Sequence, residues 1–141
     1  MYLALLIIHN VFRWFALLFL LYSVYRALAG YRSNKTFSGT DNAFRHWTAT
    51  VLQVQLMFGL ILYFQSPFVK ENNFFALVHP ILMFTAVTIA SISSAVAKRR
   101  VTDREKFKTM AIGFLVCLLI ILAAIPWPFS PLAQRPYFRL L

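Results

Sequence analysis

Acidic residues are scarce: Asp41, Glu71, Asp103 and Glu105 are all that the 141 residues contain, and none lies inside an apolar run. A proton relay or cation carrier built on intramembrane carboxylates therefore lacks its usual residues. Cysteine is scarcer still. The single Cys117 excludes a disulfide framework and a thiolate metal cluster, and it reads as a small core residue. There is no His-Glu-x-x-His pair, no glycine-rich phosphate loop and no set of serine, histidine and carboxylate, which argues against hydrolysis and ATP-driven transport. The opening segment also lacks a basic residue ahead of its apolar run and a small-residue cleavage pattern before Arg26, so it reads as a retained helix and not as a signal peptide.

Apolar residues, in contrast, are abundant. They make up 60% of the chain and charged residues 13%, against about 25% charged in soluble domains. A hydrocarbon core about 30 Å thick needs roughly 20 apolar residues per helix. Four stretches meet or approach that length: Tyr2 to Ala29, Phe44 to Gln65, Phe74 to Ala97 and Thr109 to Ile125. Short connections favour antiparallel neighbours. The expected fold is therefore an all-α integral membrane protein, one transmembrane domain built as an up-and-down four-helix bundle. Thr102 and Glu105 have capping-box spacing and would start the turn leading into the fourth helix. Pro126, Pro128 and Pro131 should stop that helix, leaving residues 126–141 as a tail of aromatics, prolines and arginines suited to the headgroup level or to docking on a partner. Ala86, Ala90, Ser91, Ser93, Ser94 and Ala95 permit close helix approach, and on that basis the third helix is expected to be the most central at its cytoplasmic half.

The net charge of +10 follows the loops. Arg26, Arg32, Lys35 and Arg45 lie around the first connection, and Lys98, Arg99, Arg100, Arg104, Lys106 and Lys108 around the third. The positive-inside rule makes both connections cytoplasmic and both termini outward, that is periplasmic in a bacterial inner membrane. Anionic lipid headgroups account for this charge, so no nucleic-acid partner is expected.

Polar residues within a membrane are costly and are candidates for function. They are His9 and Arg13 in the first span, His46, Gln53 and Gln55 in the second, and His79 in the third. His9 and His79 lie at matched depth, within about 3 Å at 1.5 Å of rise per residue. Two histidines so placed on different helices are what axial ligation of a haem requires; the alternative is that each one hydrogen-bonds a neighbouring helix. Pro80 frees the carbonyl of Ala76 and can kink the helix, widening room beside His79. Arg13 has no carboxylate within the spans to pair with. A haem propionate, a quinone oxygen, a lipid phosphate or a partner's acid would answer it, as would helix carbonyls, Gln53 or water. His46 stands at the cytoplasmic start of the second helix, where an interfacial role competes with ligation. Thr50, Gln53 and Met57 follow it on one face and can hydrogen-bond a buried group.

The run His9, Asn10, Val11, Phe12, Arg13, Trp14, the stretch Arg45 to Gln55, His79, and the closing segment from Ile125 to Arg139 resemble a family of small bacterial four-helix membrane proteins often labelled cytochrome b-like. The resemblance covers nearly the whole chain, and the proline, aromatic and arginine tail is its most specific part. It implies noncovalent haem b, with His9, His46 and His79 as the family's histidines. Relatives place a further histidine where this chain has Gln53 and a glutamate where it has Val78, which argues against a second haem here. The function expected is electron transfer through one haem between the first and third helices, with quinone or a larger redox complex as partner. Two other readings stand beside it: a cofactor-free accessory subunit of a membrane complex, and a quinone-binding protein.

Overall fold

The computed structural model describes residues 1–129 and is all-helical among them: α1 Tyr2–Arg32, α2 Gly39–Gln65, α3 His79–Arg99 and α4 Asp103–Ala124. A 3-10 turn, Pro67–Lys70, and a π-helical turn, Phe74–Val78, join α2 to α3. Each of the four helices is long and apolar enough to cross a membrane. The chain is therefore an all-α membrane four-helix bundle. Helix α1 packs on α2 and α4, and α3 on α2 and α4, which closes an up-and-down square. The α1–α2 and α3–α4 connections share one end, here called the basic end; the α2–α3 connection lies at the other.

Two helices start earlier than the hydropathy predicts, because polar caps extend them beyond the apolar core. Ser38 caps α2 and forms a reciprocal capping box with Asp41, which moves its start from Phe44 to Gly39. Asp41 also ties α1 to α2, accepting from Arg26 Nη2 at 2.6 Å and Nε at 3.1 Å. Thr102 Oγ1 accepts from the Glu105 N–H at 3.3 Å, and α4 begins at Asp103 instead of Thr109. At the same end α1 runs to Arg32 and α3 to Arg99, each slightly past its apolar stretch. The tail begins after Ala124, and its residues 130–141 lie outside the described residues.

The most central helix is α4, not α3 as the small residues imply. Nine of its residues are buried, including Phe114, Cys117 and Met110, because α1 and α3 both pack against it. The small residues of α3 serve that contact instead. Ser93 lies directly against Gly113 of α4, so close that a Cβ at 113 would collide with its Oγ and Cβ. Buried polar groups make the remaining ties. Ser23 Oγ on α1 and Thr48 Oγ1 on α2 are 2.6 Å apart. Arg45, 6% exposed, donates to the Ser94 carbonyl at 2.9 Å and to its hydroxyl at 2.8 Å, joining α2 to α3. Both ties satisfy groups that would be expensive in lipid.

Candidate functional site

Prolines shape the end of the bundle opposite the basic one, through the donors they lack. Pro80 has no N–H to offer the Ala76 carbonyl four residues earlier. The hydroxyl of Tyr63 on α2 donates to that carbonyl instead, at 3.1 Å. The chain enters α3 through the π turn, in which the His79 N–H reaches back five residues to the Phe74 carbonyl. Such turns recur at functional positions in helices. Pro126 and Pro128 act alike on α4, since they leave the carbonyls of Leu122 and Ala124 without donors from the following turn. The indole Nε1 of Trp127 donates to the Leu122 carbonyl at 2.7 Å. His79 Nδ1 lies 2.8 Å from the Ala124 carbonyl.

For the neutral imidazole that last contact determines the tautomer. A carbonyl only accepts, so Nδ1 carries the proton and the Nε2 lone pair is available to a ligand. Metal-ligating histidines are commonly held by this kind of bond.

Between α1, α2 and α3, and closed by Ile121 of α4 with Ile125 and Pro126, lies a partly open, mainly apolar cavity of about 210 Å³. His9, Asn10 and Arg13 line it from α1, Gln55, Gly59 and Tyr63 from α2, and His79 and Pro80 from α3. The structure thus brings His9, Arg13 and His79 to one cavity. His9 sits against α2, where Gly59 makes room for it: a Cβ at 59 would stand 3.2 Å from the imidazole Cε1. Gln55 Nε2 lies 3.2 Å from His9 Nδ1 and 3.4 Å from its Nε2, and donates to the His9 carbonyl at 3.1 Å. The buried Oε1 of Gln55 has no hydrogen-bond partner among the described residues. The Arg13 guanidinium lies 5.3 Å from the centre of the Trp14 ring, which in turn meets Trp127 edge to face at 6.1 Å. The two tryptophans thus link the α1 side of the site to the segment that follows α4.

His46 and Gln53 are not brought to this cavity. His46 is exposed near the basic end, with its ring 5.5 Å from that of Trp47. Gln53 is exposed on the outside of α2 and donates to Ser91 Oγ on α3 at 3.0 Å. Successive helical residues are about 100° apart, so Gln53 and Gln55 face nearly opposite directions. Only the packing of α2 decides which one enters the bundle. Gln55 was among the polar residues singled out in the sequence, without being tied there to the histidines, whereas Tyr63 is a lining residue that sequence reasoning passed over. The spacing of Tyr63, four residues after Gly59 and eight after Gln55, was the available signal. Among the described residues no three histidine, cysteine or acidic side chains form a metal-binding group.

Comparison with protein-family models, with curated proteins and with solved structures gives no match.

Proposed function

We propose that this protein is a b-type cytochrome of a bacterial inner membrane, holding one haem between α1 and α3 for electron transfer, with its basic end cytoplasmic. The observation that carries the reading is the His79 Nδ1 contact with the Ala124 carbonyl, which leaves Nε2 as the ring's accepting nitrogen in a residue that lines the same cavity as His9. In this reading His79 and His9 would hold the haem, and Arg13 would stabilise negative charge on the bound group. The chemistry that such a haem would supply is one-electron transfer. The chain's own part is to fix the His79 tautomer, to keep the site apolar and to seat His9 against Gly59. A quinone or a larger redox complex is the electron partner.

The size of the cavity and Gln55 favour a second reading, a quinone-binding protein. Drug-sized ligands occupy pockets of about 300–1,000 Å³, so 210 Å³ suits a single ring better than a tetrapyrrole. The unpartnered Gln55 Oε1 would accept from a quinol hydroxyl.

An oxidised-minus-reduced absorption spectrum of protein purified in mild detergent, with haem quantified per chain, separates the two. A reducible b-type signal near one haem per chain, lost in both His9→Ala and His79→Ala, is expected for the cytochrome. Unchanged haem content in either variant would show the ligand assignment to be wrong. A colourless folded protein that binds a ubiquinone analogue would establish the second reading. A colourless protein that binds neither and co-purifies with a larger assembly would point to an accessory subunit.

A further inference from the structure

We propose that the chain self-associates in the membrane through the lipid-facing side of α2, as a two-fold dimer in which Gln53 bonds Gln53 of the partner subunit. This inference is independent of what the cavity holds.

Gln53 stands about midway along α2, where the bilayer offers no water, and it is exposed. A carboxamide has two N–H donors and an accepting oxygen. Ser91 Oγ takes one of those donors, so a second N–H and the oxygen face lipid. Two threonine hydroxyls on outer faces, in contrast, are satisfied within their own helices. Thr50 Oγ1 donates to the His46 carbonyl at 3.2 Å and Thr85 Oγ1 to the Ile81 carbonyl at 2.8 Å. A mid-span carboxamide exposed to hydrocarbon is a costly feature unless another helix covers it.

The surroundings of Gln53 form a seam. His46, Thr50, Gln53, Met57, Leu60 and Phe64 recur at intervals of four and three, the spacing that keeps one face of a helix against a parallel neighbour. Met57 is 51% exposed and Phe64 82%. No residue of the series is an acid, lysine or arginine, and the adjacent Arg45 turns inward to Ser94. Two chains of like charge can therefore meet here without opposing their cations.

The chemistry selects a second copy as the occupant. All copies insert with the same topology, so a two-fold axis along the membrane normal sets each seam residue opposite itself at equal depth. A residue meeting itself must both donate and accept, which a carboxamide does and an ammonium or carboxylate does not. Interhelical bonds of this kind stabilise association within bilayers.

The test uses the full chain reconstituted in lipid vesicles. Met57→Cys, one turn along the seam, should cross-link to a dimer, whereas Leu119→Cys on the outer face of α4 should not. Gln53→Leu, measured by single-molecule photobleaching over a range of dilutions, should raise the dimer dissociation constant about tenfold. Because residue 53 faces outward, the variant's helicity by circular dichroism should match the parent's. A monomer at every dilution overturns the proposal, as do equal cross-linking at both cysteines, an unchanged dimer in Gln53→Leu, or Met57→Cys trapping a different protein in cell membranes.

Discussion

Replacing Pro126 and Pro128 together by alanine should change the protonation geometry of a histidine on a different helix. The Ala124 carbonyl is open to His79 Nδ1 because residue 128 has no N–H to close the next helical turn, and Pro126 stops the turn from forming. With alanine at both positions α4 can propagate, and the carbonyls of Leu122 and Ala124 regain backbone donors. His79 then loses a hydrogen bond worth about 0.5–1.5 kcal/mol. Since 1.4 kcal/mol is a factor of ten in an equilibrium constant, the ratio of Nδ1–H to Nε2–H tautomers should fall by up to about tenfold. The assay is ¹⁵N NMR of histidine-labelled protein in detergent, in which the protonated ring nitrogens of the two tautomers resonate apart. The parent should show the Nδ1–H form at His79 and the double variant a clear increase in Nε2–H. A parent spectrum with Nε2–H at His79 would refute the reasoning, and so would a ratio unmoved by the substitutions. Either result would also remove the main support for His79 as a ligand.

Three further outcomes are expected. Gly113→Ala forces a Cβ into Ser93 and should destabilise the bundle by about 1–3 kcal/mol in detergent unfolding; Ser93→Gly should recover most of the loss, and a variant as stable as the parent would contradict the close α3–α4 contact. Tyr63→Phe removes the donor that answers the Ala76 carbonyl and should cost about 1 kcal/mol. The same change should cost less in a Pro80→Ala background, where the backbone N–H returns, and equal costs in both backgrounds would argue against the substitution of one donor for the other. Arg45→Met keeps much of the buried aliphatic stem but removes the bonds to Ser94, and should lower stability by about 1.5–3 kcal/mol; no measurable loss would mean that this α2–α3 tie contributes little.

Membrane insertion, helix number and the up-and-down order were legible in the sequence, because each depends on local properties. Four apolar runs of spanning length and short polar connections leave few other folds. The prolines that end α4 and the Thr102 and Glu105 cap are local too, and both were readable. The early start of α2 was missed because Ser38 and Asp41 lie outside the apolar run that marked the helix. The centrality of α4 was missed because small residues show where helices approach but not which neighbour they approach.

The site divides in the same way. Sequence alone identified His9, Arg13 and His79 as costly polar groups and put His9 and His79 at similar depth, since depth follows from counting along a helix. Only the tertiary structure decided rotation about each helix axis, which depends on packing between helices distant in sequence. That rotation turned Gln55 into the cavity and Gln53 out to lipid, and left His46 exposed near the basic end. It also set His79 against the Ala124 carbonyl, a contact across 45 residues that no spacing rule reports.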